Sequence, residues 1–210
     1  YVIDDLVEVQ TATSIVWVYR YEASRPDATE LGVGVMNHRS CSAEGVLPWS
    51  NVSYQDAKAA CEAAGFRLCR QDEWQTACEG GAGYSYEYPY LHLAGYTDYE
   101  PSVCNGNDYD YNCTGLDDDD VLPTGMVFTD CVTGPSDCIS LDGLLDMSGN
   151  LMEWTSTLAA GKTDIYHVRG GSFLTHEWGL TCQASFVTLQ QSFRYDDLGF
   201  RCCSDYAPGP

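Results

Sequence analysis

The sequence predicts an α+β domain with little regular secondary structure, held together by disulfides. Three observations carry that expectation. Hydrophobic residues make up 44% and aromatic residues 12% of the 210 positions, well above a chain that stays disordered and enough to bury a core. Short strand-like and helix-like patterns surround a long stretch, residues 82 to 140, that is rich in Tyr, Asp, Gly and Asn and follows neither period. The 11 cysteines include no CxxC pair and no cysteine–histidine cluster at zinc-ligand spacing, so they read as a disulfide framework and point to an oxidising compartment, secreted or extracellular. Because eleven is odd, at least one thiol stays free, pairs with another chain or is reactive; a buried, inert thiol is the simplest of these.

Residues 1 to 23 read as an arm followed by a first strand, since Ile15 to Tyr19 (IVWVY) is dense in β-branched and aromatic side chains. Residues 24 to 203 form the main domain, with 82 to 140 as its long irregular insertion, and residues 204 to 210 form a tail. After a polar loop to about Gly45, Ser53 supplies an N-cap, Tyr54, Ala57, Cys61 and Ala64 recur at helical spacing, and Gly65 ends the helix. A shorter helix runs from about Gln71 to Cys78 with Trp74, Ala77 and Cys78 inward, and stops at Gly80-Gly81. His167 to Gly171 reads as a strand entering a glycine turn, and Leu198 to Cys203 as a closing strand. Within the insertion, Cys104 and Cys113, and again Cys131 and Cys138, are close enough in sequence to close small loops.

Charge narrows the function. With 31 acidic against 10 basic residues the formal net charge is -21, a field that repels phosphate backbones and anionic lipid and so disfavours nucleic acid as a partner. The same field attracts divalent cations, and it equally serves to keep an extracellular protein soluble. No apolar run reaches the length of a membrane-spanning helix, and no basic-then-apolar leader is present; the chain begins at Tyr1, as a processed mature chain would. Asn51-Val-Ser and Asn112-Cys-Thr are formal glycosylation sequons for a eukaryotic source.

Two stretches are candidates for a metal. Leu141 to Trp154 (LDGLLDMSGNLMEW) gathers Asp146, Gly149, Asn150 and Glu153 between apolar runs. Glycine lets backbone carbonyls turn the same way as acidic side chains, which is how calcium is held; a solvated Ser-Gly-Asn turn between buried strands has the same composition. Asp108, Asp110 and Asn112 alternate ahead of Asp117 to Asp120, in the manner of the first half of a calcium loop. The sixth position lacks glycine and no flanking helices are evident, so a solvated acidic loop is the rival reading.

Five pieces, in order, resemble the formylglycine-generating enzyme (sulfatase-modifying factor) family: NVSYQDAKAACEAAGFRL at 51 to 68, DEWQTAC at 72 to 78, LLDMSGNLMEWT at 144 to 155, VRGGSF at 168 to 173 and LGFRC at 198 to 202. The resemblance spans roughly residues 45 to 203 and implies a C-type-lectin-like fold with bound calcium and little regular secondary structure. It implies a calcium turn with the side chain of Asp146, the backbone oxygens of Gly149 and Leu151 and the carboxylate of Glu153 as ligands. It also implies disulfides from Cys61 to Cys202 and from Cys78 to Cys182. With Cys104–Cys113 and Cys131–Cys138 as local pairs, Cys41, Cys69 and Cys203 are left, of which two are available to pair.

Enzymes of that family oxidise a substrate cysteine with two cysteines just after the RGGSF motif, whose soft thiolates bind copper(I). Here that region reads LTHEWGLTC from Leu174 to Cys182. Thr175 stands where the first catalytic cysteine is expected, the second has no counterpart, and His176 does not replace them. No Walker loop, dinucleotide fingerprint or nucleophile elbow is present. The expectation is therefore a secreted, non-catalytic binding or structural module, its ligand a protein or a carbohydrate, with Tyr84 to Tyr99 either offering stacking contacts or packing the loop. The alternatives are a subunit of an extracellular filament or surface assembly, self-assembling through residues 1 to 14 or an unpaired cysteine, and a retained copper oxidase.

Overall fold

The computed structural model describes residues 4–109, 120–129, 132–207 and 209. Two four-stranded sheets and two short helices form the body. In the first sheet β1 (Leu6–Gln10), β2 (Ile15–Tyr19), β12 (Cys202–Ser204) and β5 (Arg67–Leu68) lie in that order. The arm is therefore a strand: β1 pairs antiparallel with β2, Val9 opposite Val16 and Val7 opposite Val18. Valines at every second position give both strands one buried face. The second sheet runs β10 (Thr188–Gln190), β9 (Ile165–Arg169), β8 (Met152–Leu158), β11 (Leu198–Phe200), with β11 parallel to β8 so that Gly199 faces Glu153.

Helix α1 (Tyr54–Ala63) begins at Ser53, whose side chain accepts a hydrogen bond from the Asp56 N–H, and buries Tyr54, Ala57, Ala60 and Cys61 along one stripe. Helix α2 (Gln71–Cys78) buries Glu73, Trp74, Ala77 and Cys78, and Glu73 reaches back to accept the Arg70 N–H at 2.8 Å. The α1 face packs with Tyr19, Trp49, Trp154, Val168, Leu198 and Phe200 into one core; the α2 face packs with Val7, Val9, Val16, Val18, Leu144 and Met147 into a second. Two small two-stranded pairs complete the strands among the described residues: β3 (Ala23–Ser24) with β4 (Cys41–Ser42), and β6 (Met126–Thr129) with β7 (Val132–Pro135).

That β6–β7 hairpin lies inside the stretch expected to be without regular structure. The stretch is further ordered by a third core of Tyr88, Tyr90, Val103, Cys104, Cys138 and Leu180. Tyr88 and Tyr90 stack at 5.7 Å between centroids, and Tyr99 and Tyr96 pack on them. Apart from the exposed Tyr84, these tyrosines mainly fill the loop.

Among the described residues four disulfides staple the layers. Cys61–Cys202 ties α1 to β12, Cys78–Cys182 ties α2 to the segment after β9, and Cys69–Cys203 ties the start of α2 to β12. The first two are the pairs that the family resemblance implies. The fourth corrects the sequence reading: Cys104 bonds Cys138, 34 residues away, and not Cys113, so Cys138 is not paired with Cys131 either. Nearness along the chain does not decide pairing; both partners are buried in the third core, which brings their Cα atoms to 5.0 Å. Cys113 and Cys131 lie outside the described residues, and Cys41 is buried with a free thiol.

Candidate functional site

In the turn from Leu141 to Trp154, residues 144 to 151 are buried: Leu144 and Met147 belong to the second core and Trp154 to the first, with Asp146, Ser148, Asn150 and Glu153 as buried polar groups. Asp146 and Asn150 adopt left-handed backbone angles, φ 56° and 57°, and Gly149 sits at φ 77°. Asp and Asn tolerate this region, and at position 149 only glycine does, because a Cβ there would lie 2.2 Å from the Asn105 carbonyl oxygen. Asn105 O in turn accepts the Asn150 N–H at 2.8 Å, so the insertion is bonded directly to the turn.

Around this backbone the structure gathers groups that sequence reasoning missed. Glu22, at the end of the Tyr19–Glu22 segment, is fully buried and accepts the Leu151 N–H at 2.9 Å and the Asn150 Nδ2 at 2.5 Å. Arg201, from the LGFRC piece, holds both oxygens of Glu153 from its Nε and donates to the carbonyls of Tyr19, Arg20 and Leu145. Trp74 Nε1 donates to Glu153 at 2.7 Å, and the Asp146 carboxylate accepts the Gly125 N–H at 2.6 Å. Burial, then the charges of Asp146 and Glu153, raise the Glu22 pKa well above the usual carboxylate range, with Arg201 opposing. Burial likewise raises Asp146, against the Gly125 hydrogen bond and Arg201. Glu22 stands three residues beyond Tyr19, the last residue of the IVWVY strand, and no local pattern in the sequence marks it.

Of the four positions expected to hold calcium, Asp146, Gly149 and Leu151 surround this centre, while the carboxylate of Glu153 is committed to Arg201 and Trp74. Among the described residues no three His, Cys, Asp or Glu side chains are grouped to hold one metal ion. Two observations do fit a cation beside the turn. Glu22, Asp146 and Glu153 face a single guanidinium, which leaves the buried centre short of positive charge. Asn105 Oδ1, on the residue whose backbone lies against Gly149, is buried without a hydrogen-bond partner among the described residues. For the other stretch, Asp108 accepts the Tyr99 hydroxyl at 2.5 Å, and Asp110, Asn112 and Asp117 lie outside the described residues.

The second region of interest follows the glycine turn after β9. Thr175 is held by local bonding: its Oγ1 accepts the Ser172 N–H at 2.9 Å, and Ser172 Oγ donates to Asp197 at 2.8 Å. Its methyl group fills the space over Gly179, where a Cβ would come within 2.2 Å of it. A cavity of about 30 Å³, room for roughly one water, is lined by Thr175, Gly171, Gly179, Met152, Phe186 and neighbours, with no cysteine among them. Around it the surface is apolar: Trp178 is 81% and Phe186 71% exposed, and Leu174 is half exposed. His176 is exposed as well.

Comparison with known proteins gives one consistent answer. The family of the sulfatase-modifying factor enzyme 1-like domain matches residues 11–206. A Bos taurus protein, "Inactive C-alpha-formylglycine-generating enzyme 2", is 30% identical over 168 residues, covering 75% of this chain and 50% of its own. The chain thus spans about half the length of the curated relatives it matches. Among solved structures, CarF superposes with a TM-score of 0.65 at 20% identity, over 97% of this chain and 98% of its own. PvdO from Pseudomonas aeruginosa gives 0.59 at 17% identity, over 93% and 82%. At these identities the two structures speak for the fold: α+β, formylglycine-generating-enzyme-like and, in this chain, disulfide-rich.

Proposed function

The chain belongs to the sulfatase-modifying factor enzyme 1-like family, and from that membership we propose that it is a secreted, non-catalytic binding or structural module whose ligand is a protein or a carbohydrate. One observation carries the reading. Where the family places its first catalytic cysteine this chain has Thr175, a hydroxyl tied into the Ser172–Asp197 turn, and the adjoining cavity contains no thiol. A threonine hydroxyl is neither a soft copper(I) ligand nor an oxidisable thiolate. The inactivity in the name of the bovine relative points the same way, and eight cysteines in disulfides suit an oxidising compartment.

The binding face in this reading is the apolar surface around Thr175. Trp178, Phe186 and Leu174 stand exposed on a stapled, rigid base, the kind of aromatic anchor that recognition surfaces use. Calcium is proposed for the adjacent turn of a lectin-like scaffold, with Asp146, the carbonyls of Gly149 and Leu151 and the unpartnered Asn105 Oδ1 as donors. Glu153 contributes negative charge from behind Arg201. A second reading, a subunit of an extracellular assembly, is favoured by β1, which ends its sheet in the order given and whose Gln10 carbonyl accepts the Ala82 N–H at 2.7 Å.

Anaerobic copper(I) titration together with a cysteine-peptide oxidation assay tests the loss of catalysis. No tight stoichiometric copper and no aldehyde product are expected; their appearance overturns the proposal. A glycan and peptide array probed with the wild-type chain and with Trp178→Ala tests the face, and a ligand retained equally by both sinks it.

A further inference from the structure

A separate cleft lies between the loop after β3, the N-terminal half of α1 and the loop before β11. It has a volume of about 180 Å³ and is lined by Arg25, Asn37, Trp49, Asp56, Ala59 and Arg194. Arg25 lies over the Trp49 ring, 4.4 Å from its centroid, and one of its N–H groups reaches Val33 O at 3.2 Å. Among the described residues Arg25 makes no salt bridge, although the chain carries 31 acidic side chains. Burial holds its pKa below the ordinary arginine value, with only Asp27 opposing. Arg194 pairs with Asp56 and donates to Asn51 O at 3.2 Å. The family motifs of the sequence use neither arginine, and none of the six residues lines the cavity at Thr175.

We propose that this cleft binds a sugar acid, a monosaccharide ring bearing a carboxylate, with Arg25 and Arg194 taking the carboxylate and Asp56 and Asn37 taking ring hydroxyls. Two guanidinium groups offer parallel N–H donors to a carboxylate, and a part-buried, unpaired guanidinium is relieved when one arrives. Because Arg194 already compensates its charge, Asp56 is a better acceptor for hydroxyls than a partner for an ammonium group, which disfavours a free amino acid. The volume accommodates one sugar ring. In a chain of net charge -21 such a site gains nothing from long-range attraction, so binding depends on these short contacts.

The inference rests on the reading of the chain as a binding module but on different residues, so the two can fail separately. Calorimetric titration of the full chain with glucuronic acid and N-acetylneuraminic acid is the test, with glucose and alanine as controls. At least one acid is expected to bind at least about tenfold more tightly than glucose, and Arg25→Gln and Arg194→Gln each to weaken it at least about tenfold. Arg194 is half exposed, so its substitution leaves the core untouched, whereas Arg25→Gln also unstacks Trp49. Absence of binding by both acids, tighter binding of alanine, or binding that survives Arg194→Gln overturns the proposal. Acid binding lost in Trp178→Ala but kept in both arginine variants also overturns it, while leaving the module reading intact.

Discussion

Arg201 and Glu153 form an ion pair with no access to water: the side chains are 0% and 1% exposed, and Nε of Arg201 lies 2.9 and 3.0 Å from the two carboxylate oxygens. The pair joins β8 to the end of β11, the two strands that run parallel in the second sheet. Its remaining donors are spent on the carbonyls of Tyr19, Arg20 and Leu145, so one guanidinium fastens the first sheet, the polar turn and the second sheet together. A buried charge of this kind is tolerable only while every group around it is paired.

Arg201→Met should therefore destabilise the chain strongly, by about 3–5 kcal/mol, since it leaves three buried carboxylates without a counter-charge. Urea unfolding measures the loss. The double variant with Glu153→Leu should recover part of it, because two of the opposing terms are then removed together; a double variant no more stable than the single would mean that Glu22 and Asp146, not Glu153, are what Arg201 neutralises.

Gly149 and Gly161 share left-handed backbone angles, φ 77° and 71°, but only Gly149 has another backbone within reach of a Cβ. Gly149→Ala should lose at least about 2 kcal/mol and Gly161→Ala about 1 kcal/mol or less. Equal losses would show that the angle alone, and not the contact with Asn105, demands glycine at the turn.

Much of this arrangement is written locally in the sequence, and the part that is not has a common cause. Ser53, Tyr54, Ala57, Cys61 and Gly65 announce α1 because capping, spacing and termination are all properties of neighbouring residues. The alternating valines announce β2 in the same way. Glu22, Asn105 and Arg201 carry no such signal: they are far apart along the chain and meet because a left-handed turn at residues 146 to 150 brings three backbones together. The Cys104–Cys138 bond and the cleft between Arg25 and Arg194 escaped the sequence for the same reason. The β6–β7 hairpin is a different case, a strand pair of four residues each whose VTGP half lacks a period-two pattern.

If calcium occupies the turn, removing it exposes the charge imbalance of the centre. Thermal unfolding with saturating chelator should then show a lower midpoint, since a ligand present at a hundred times its dissociation constant adds about 2.7 kcal/mol. The shift should shrink in Asn105→Ala, which deletes the unpartnered donor. An unchanged midpoint, with no calcium found by elemental analysis, removes the metal from the turn.

A proteolytic disulfide map should recover Cys104 linked to Cys138, together with Cys61–Cys202, Cys69–Cys203 and Cys78–Cys182. Breaking Cys61–Cys202 by a double Ser substitution should lower stability by about 2–5 kcal/mol, because that bond closes a loop of 141 residues. A peptide joining Cys104 to Cys113 would displace the third core from its place in the fold.

Cys41 supplies the last prediction. Its thiol is buried in β4, and burial followed by the negative charge of Asp4 pushes its pKa up, against the opposing charge of Arg39. Since the thiolate is the reactive form, both lack of access and lack of ionisation protect this cysteine in the folded chain. Labelling with a thiol reagent, read at Cys41 by mass spectrometry, should be negligible in the native protein at neutral pH and complete after unfolding in urea without reductant. Rapid native labelling would mean that β4 opens locally. In that event Cys41 becomes a cross-linking point for an extracellular assembly, and the second reading of the chain's function gains the support that β1 alone cannot provide.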